Sequence, residues 1–304
     1  MASKTLIIDG NARGYFHHGS GRVLKSGDYQ TQSVFGFVRE MRELREYYPD
    51  FTPVVLWDGR AEWRYALHPD YKSNREKDPK QAASRAEYKK VRHFINDALE
   101  HLGVRQMTVM THEADDMAGY MVQQLSADPA NEIILHTGDK DWLQLVRPNV
   151  IWGDIRRDRE SAVRFAKFFD LTGYKTPIAF LEGKCLQGDT SDVISGVGKI
   201  GEGTAPLILA EFGSVRHFWR GVDDGSIKPR DFRQRHLATP EARRLFIRNF
   251  QLMQLQRVAK PAKEDVRLVA GALNEEKFAA VCEELAFRSI LTTLEEFTRP
   301  FRSK

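Results

Sequence analysis

Thr5-Leu6-Ile7-Ile8-Asp9-Gly10 decides the fold: a short run of β-branched and apolar residues stops at an aspartate followed by a glycine. The pattern returns in Val54-Val55-Leu56-Trp57-Asp58-Gly59, and again in Ile133-Ile134-Leu135-His136-Thr137-Gly138-Asp139-Lys140-Asp141. Apolar runs of this length, bounded by turn residues, read as buried strands. A fourth run at 104–110 leads into Glu113-Ala114-Asp115-Asp116, and a fifth at 149–152 fits an edge strand or a hairpin. Stretches of helical period at 34–48, 87–102 and 115–125 lie between the runs. Strands alternating with helices imply a mostly parallel sheet flanked by helices, an α/β fold. From about Thr176 the strand pattern stops. Helical patterns follow at 177–186, 204–212, 240–257 and 274–287, joined by Gly-rich turns. The expected organisation is an α/β domain over 1–175 and a helical domain over 176–304.

A chain of 304 residues with 41% hydrophobic content is large enough for one big core or two unequal domains. The apolar run at 5–8 is far too short for a signal peptide or a membrane span, so no membrane association is expected. Cys185 and Cys282 stand far apart with no CxxC pairing, which argues against a disulfide framework or a thiolate zinc site and for a reducing cytoplasm. A net charge of +4 does not by itself announce a nucleic-acid partner, but its distribution is uneven. Residues 60–92 carry ten Lys/Arg against five Asp/Glu, and residues 228–244 carry six against two. Either run, taken alone, reads equally well as a solvated helix face. Residues 70–86 are polar, basic and nearly free of apolar anchors, as in a segment standing off the core.

The acidic residues tilt the reading. Carboxyl ends of parallel strands line the ligand crevice, so Asp9, Asp58 and Asp139 should converge on one sheet edge. Glu113 and Asp116 lie three apart in the first turn of a helix, where the dipole favours negative charge. Gly188-Asp189-Thr190-Ser191-Asp192 brings a similar pair from the helical half. Singly, Asp-Gly after a strand is a turn and Glu/Asp at a helix start is a cap. Nine carboxylates aimed at one crevice cannot all ionise without a cation. Oxygen-only ligands suit Mg²⁺ or Mn²⁺ rather than zinc, and no His/Cys cluster competes; His17-His18 reads as loop surface. Two hard cations about 3.5–4 Å apart, held by shared carboxylates, are the usual device for in-line phosphodiester displacement. An acidic pocket ringed by basic segments fits that substrate better than a small metabolite.

In this order, Ile8-Asp9-Gly10-Asn11, Trp57-Asp58-Gly59, Tyr71-Lys72-Ser73-Asn74-Arg75, Glu113-Ala114-Asp115-Asp116, Gly138-Asp139-Lys140-Asp141 and Gly188-Asp189-Thr190-Ser191-Asp192 resemble the flap endonuclease/5′–3′ exonuclease family. The stand-alone bacteriophage members are the most similar, over roughly residues 4–215. The resemblance implies a PIN-like α/β fold, a helical arch insert at about 70–90 that passes a single-stranded 5′ arm, and a C-terminal DNA-binding helical domain. It implies a metal-dependent phosphodiesterase, both 5′ exonuclease and flap endonuclease, serving DNA replication or repair. The implied partners are DNA with 5′ flaps, 5′ ends or junctions, with RNA–DNA hybrids as a further substrate, and a monomer is expected. The implied cofactor is Mg²⁺, two or more ions, with Mn²⁺ able to substitute. Asp58, Asp115 and Asp139 would hold the first metal, with Glu113, Asp116 and Asp9 close by or acting through water. Asp141, Asp189 and Asp192 would hold the second. Tyr71 would stack near the reacting nucleotide, while Lys72 and Arg75 would reach the scissile phosphate.

Beyond Asp192, Gly196-Val197-Gly198-Lys199-Ile200-Gly201 matches GxGxxG but follows a helix rather than a strand, so a dinucleotide fold is not expected. The stretch also fails as a P-loop, since Ile200 stands where Ser/Thr should follow the lysine. It reads better as a helix-hairpin-helix-like turn in which Gly196, Gly198, Lys199, Gly201, Gly203 and Thr204 bring backbone N–H groups to a duplex phosphate. In the resembling family this element often holds K⁺. Here Lys199 stands where a glycine is usual, and Gly203 where Lys or Arg is usual. Trp57, Trp63 and Trp142 read as core or motif-packing aromatics. Two rival readings stay open: a PIN-type or RNase H-like ribonuclease, and a structure-specific DNA-binding protein without catalysis. An aspartyl-nucleophile phosphatase would want DxD after the first strand, which Asp9-Gly10-Asn11-Ala12 does not supply.

Overall fold

The computed structural model describes residues 2–21, 23–154 and 162–302. Its main sheet has six strands: β1 (Lys4–Asp9), β2 (Thr52–Trp57), β3 (Arg105–Val109), β4 (Glu132–His136), β5 (Val150–Trp152) and β6 (Val266–Val269), in the order β6-β3-β2-β1-β4-β5. The first five run parallel. β1 pairs with β2 (Ile7 opposite Val54) on one side and with β4 (Ile7 opposite Leu135) on the other. Strand order therefore reverses at β1, and in such sheets the ligand crevice opens at that switch point, outside the carboxyl ends. Asp9 ends β1, Asp58 follows β2, and Asp139 lies three residues beyond β4. The sequence's acidic strand ends thus share one edge.

Period-two alternation gives each strand two buried faces. Leu6 and Ile8 of β1 pack with Val55, Trp57 and Ile134 against the helices Gln32–Tyr47 and Pro79–His101. Ile7 packs with Leu56, Ile133 and Leu135 on the opposite face, against the helix Ala114–Leu125. A third cluster fills the helical part around Leu181, Leu186, Phe218 and Phe246. Asp9-Gly10 is not the loose turn its sequence suggests. Asp9 caps the helix Gly10–His18, accepting from the Ala12 N–H at 2.9 Å. A Cβ on Gly10 would stand 2.6 Å from the Trp57 ring, so glycine is needed where this helix leaves the sheet.

The strand pattern does not end at Thr176. Val266–Val269 returns to the sheet and pairs antiparallel with β3, Leu268 opposite Met107. Four residues at a largely exposed edge give too short an alternation to announce a strand. After β6, the helix Glu275–Glu284 lies on the helix Pro79–His101, and Phe278, Cys282, Phe297 and Phe301 are buried in the same core as Leu6 and Trp57. Both cysteines are free and buried. Among the described residues no helix is long and apolar enough to cross a membrane.

The helix expected at 87–102 starts eight residues earlier, at Pro79, with Asp78 capping it through the Lys80 N–H at 2.9 Å. Its apolar anchors begin only at Tyr88, so the first turns stand off the core, above the strand ends.

Candidate metal centre

Asp9, Asp115 and Asp139 bring carboxylate oxygens within 4.8 Å of one another. They come from the end of β1, the first turn of the helix Ala114–Leu125, and the loop after β4. Each is oriented by a donor: Asp9 by the Thr137 hydroxyl at 3.0 Å, Asp115 by the Trp142 indole N–H at 2.6 Å, and Asp139 by the Asp141 N–H at 2.8 Å. Asp58 accepts from the Ala114 N–H at 2.9 Å and lines the same cavity. Burial pushes Asp9 up to about 6, opposed by the Ala12 N–H and reinforced by the charge of Asp58. Burial and neighbouring carboxylates likewise raise Asp58, Asp115 and Asp139 above the usual range. A crowd of oxygen donors that resists losing its protons is a donor set short of positive charge.

Asp141, Asp189 and Asp192 form the other side. Lys184, which the sequence reading missed, places its ammonium 3.0 Å from Asp141 and 3.2 Å from Asp189. Burial and the charge of Asp139 lift Asp141 to about 6, in spite of Lys184. Asp189 lies below its usual range: burial opposes its charge, but the Ser191 hydroxyl at 2.6 Å and Lys184 outweigh that. Lys184 stands five residues before Asp189 at the end of the helix Pro177–Gln187, and only the fold reveals which carboxylates it meets.

Tyr71 and Asp116 are both engaged by neighbouring side chains. Tyr71 is buried, and its hydroxyl donates to Glu113 at 2.9 Å, so it presents no free face on which a base can stack. Asp116 is bound by both Arg64 guanidinium N–H groups at 2.6 and 2.7 Å and caps its helix by accepting from the Glu113 N–H at 3.0 Å. A buried carboxylate so fully used supports the site rather than entering it. Glu113 also accepts from Lys72 at 2.6 Å. Burial works against its charge, yet Lys72 and Arg64 hold it below the usual range. Arg75 meets Asp192 at 3.2 Å, and the Lys72 N–H donates to the Asp192 carbonyl at 3.1 Å. Lys72 and Val193 both take left-handed backbone, φ 59° and 60°, a costly choice for a β-branched residue.

Asp9, Asp58, Asp115 and Asp139 floor a cavity of about 790 Å³ whose walls are Lys72, Asn74 and Arg75 and whose roof is Lys80, Gln81, Ser84 and Arg85. Tyr15, 38% exposed and packed on Tyr88 with ring centroids 4.4 Å apart, lines it as well. His17 and His18 are not loop surface; both are buried on the helix Gly10–His18. Trp57 and Trp142 are core residues, whereas Trp63 is 40% exposed beside Arg64.

The Gly-rich turn follows directly on the short hairpin that carries Asp189, in which Ser195 pairs with Gly188 and Ile194 with Asp189. Lys199 has φ 60°, the left-handed region that explains why glycine suits its position. Its ammonium sits 5.6 Å from the ring of Phe232, in the basic 228–244 run, and His236 from the same run donates to the Val197 carbonyl at 2.5 Å.

Residues 4–170 match the family of the 5′–3′ exonuclease N-terminal resolvase-like domain, and the chain belongs to that family. Among curated relatives, DNA polymerase I of Lactococcus lactis subsp. lactis (strain IL1403) is 29% identical over 250 residues, covering 78% of this chain and 27% of that protein. DNA polymerase I of Mycobacterium bovis (strain ATCC BAA-935 / AF2122/97) is 26% identical over 288 residues, 93% of this chain and 30% of that one. The chain thus spans under a third of the length of these relatives. Among solved structures, the bacteriophage T5 5′-exonuclease with bound zinc superposes with a TM-score of 0.68 at 22% identity, covering 98% of both chains. The catalytic core of Rad2 in complex with DNA substrate superposes with a TM-score of 0.57 at 14% identity, over 100% of this chain and 93% of the other. These structures share the fold.

Proposed function

We propose that the chain is a structure-specific 5′ nuclease that hydrolyses DNA at 5′ flaps, 5′ ends and junctions, in replication or repair, with Mg²⁺ as its working metal. The observation that carries this is the convergence of Asp9, Asp115 and Asp139 within 4.8 Å beneath a basic roof. The donor set fits hard cations: it is all oxygen, and burial together with mutual repulsion has raised its proton affinity. Asp9, Asp58, Asp115 and Asp139 would hold one ion, with Asp141, Asp189 and Asp192 forming the second site. Mn²⁺ would be accepted by the same donors. When bound, such ions supply Lewis-acid charge that activates water and stabilises the leaving oxygen.

The chain's own groups do the rest. Lys72 and Arg75 bring fixed positive charge to the phosphate as its oxygens gain charge. Tyr15 receives the flanking base, and Lys80 and Arg85 on the roof guide the single-stranded arm. Glu113 and Asp116 hold Lys72 and Arg64 in place. The turn at 196–204 offers backbone N–H groups to the duplex, and the basic 228–244 run beside it supports a second contact. K⁺, if bound, would be held by backbone carbonyls of that turn, where the Val197 carbonyl already accepts from His236. Residues 1–175, joined by Asp189 and Asp192, carry the chemistry and the rest of the helical part from 176 grips DNA, with the stretch from Lys263 onward serving the first. A monomer working in the cytoplasm suits the proposal.

The test is cleavage of a 5′-labelled flap in Mg²⁺, set beside single strands, blunt duplex and an RNA–DNA hybrid. Release of the flap near its junction is expected. Preferred cutting of single-stranded RNA would favour the ribonuclease reading, and binding without cutting would favour the inactive one.

A further inference from the structure

Behind the carboxylate floor lies a second charged cluster. Glu40, midway along the helix Gln32–Tyr47 and 3% exposed, accepts from Arg13 through Nε at 2.9 Å and Nη2 at 2.5 Å. The same carboxylate meets His17 Nε2 at 2.9 Å and His136 Nε2 at 3.1 Å, and all four side chains are buried. Asp154 adds an oxygen within 4.8 Å of Glu40 and His136, a grouping that on composition alone suits a metal. Both Glu40 oxygens already accept from Arg13, so the protein's own guanidinium fills that place.

The origin of these partners matters more than their number. Arg13 and His17 ride on the helix that starts at Asp9. His136 ends β4, three residues before Asp139. Between them, the Thr137 hydroxyl donates to Asp9 at 3.0 Å and accepts from the Asp139 N–H at 3.0 Å. Glu40 therefore grips, from behind, the two segments whose front ends present Asp9 and Asp139. Those two carboxylates repel each other and tend to part. A buried carboxylate bound to both supports opposes that drift, as partners behind metal ligands commonly do.

We infer that Glu40 is a positioning residue, whose ties to Arg13, His17 and His136 fix the spacing of Asp9 and Asp139 for a divalent cation. The inference rests on the metal reading of that cluster. Removing the Glu40 charge also frees Arg13 to turn toward Asp9 and compete with the ion.

The test measures Mn²⁺ binding to the full chain by electron paramagnetic resonance, without DNA, alongside thermal unfolding. Glu40→Gln should weaken Mn²⁺ binding at least tenfold and raise the half-saturating Mg²⁺ for cleavage in proportion. Flap binding in EDTA should stay unchanged. Because Glu40→Gln leaves Arg13 buried without its partner, a second variant, Arg13→Met with Glu40→Leu, removes both charges together and should show the same loss of metal affinity. Phe278→Leu, in the core away from the site, should lower thermal stability without moving Mn²⁺ affinity. If the Glu40 variants lose stability like Phe278→Leu yet keep Mn²⁺ affinity within twofold, the cluster is a structural tie only and the inference is wrong. If the wild-type chain binds no Mn²⁺, the metal reading itself fails, and the inference with it.

Discussion

At Asp9 and Asp141, burial raises the carboxyl from an ordinary 3.8 to about 6. Between those values the folded chain holds more protons than the unfolded one, so metal-free stability falls as pH rises through that window. A divalent ion reverses the balance by binding the ionised form. The stabilisation given by Mg²⁺ over EDTA should therefore grow from about pH 5 to about pH 7.5, read as the difference in Tm. His18, which burial lowers, works in the opposite direction but is common to both conditions and cancels. A difference in Tm independent of pH would contradict the account. Lys72 makes a second residue-scale prediction. Lys72→Ala should lower the single-turnover rate at saturating enzyme by roughly a hundred- to a thousandfold, the usual effect of losing one transition-state charge. Lys80→Ala, on the roof, should weaken binding and its salt dependence while leaving that rate intact. Equal loss of affinity with unchanged rates in both would place Lys72 in the general basic surface. Strand ends announce themselves locally, which made the shared edge of Asp9, Asp58 and Asp139 readable from sequence. Tyr71, Asp116 and Lys184 take their roles from partners 42, 52 and 5 residues away, and a linear reading cannot choose among such partners.

The hairpin turn and the roof helix show what was and was not visible at the scale of elements. The turn was readable because its glycines are spaced for backbone approach. Lys199, which departs from the glycine usual there, takes left-handed backbone with its side chain turned toward Phe232. The roof helix was cut short in the sequence reading because its first turns carry no apolar residue to mark a period. Asp78-Pro79 at its start was the overlooked signal. Gly198 has φ 82°, and a Cβ there would lie 3.0 Å from His236. Gly198→Val should thus strain the turn, push on its tie to the basic run, and weaken flap binding about equally for all sequences of one shape. Fluorescence anisotropy on two flaps of different sequence checks this. Loss for one sequence only would give the turn another job.

For the molecule as a whole, the parallel sheet and the helical second half followed from alternation and its disappearance. The return of the chain after Lys263 did not, because the antiparallel edge strand is short and exposed. Its consequence is energetic. Phe278, Phe297 and Phe301 fill the same core as β1, and Phe278→Ala should cost about 3–5 kcal/mol and lower Tm accordingly. A chain truncated after residue 262 should lose cooperative unfolding; retained native Tm would show that the return is an appendage. The most direct test of the central claim, that the carboxylates serve metal chemistry rather than DNA affinity, pairs two readings on Asp139→Asn: single-turnover cleavage of a 5′ flap in Mg²⁺, and flap binding in EDTA. The account predicts that cleavage disappears while binding is kept or tightened, since a negative charge has left the neighbourhood of the phosphates. Cleavage at the wild-type rate would contradict it.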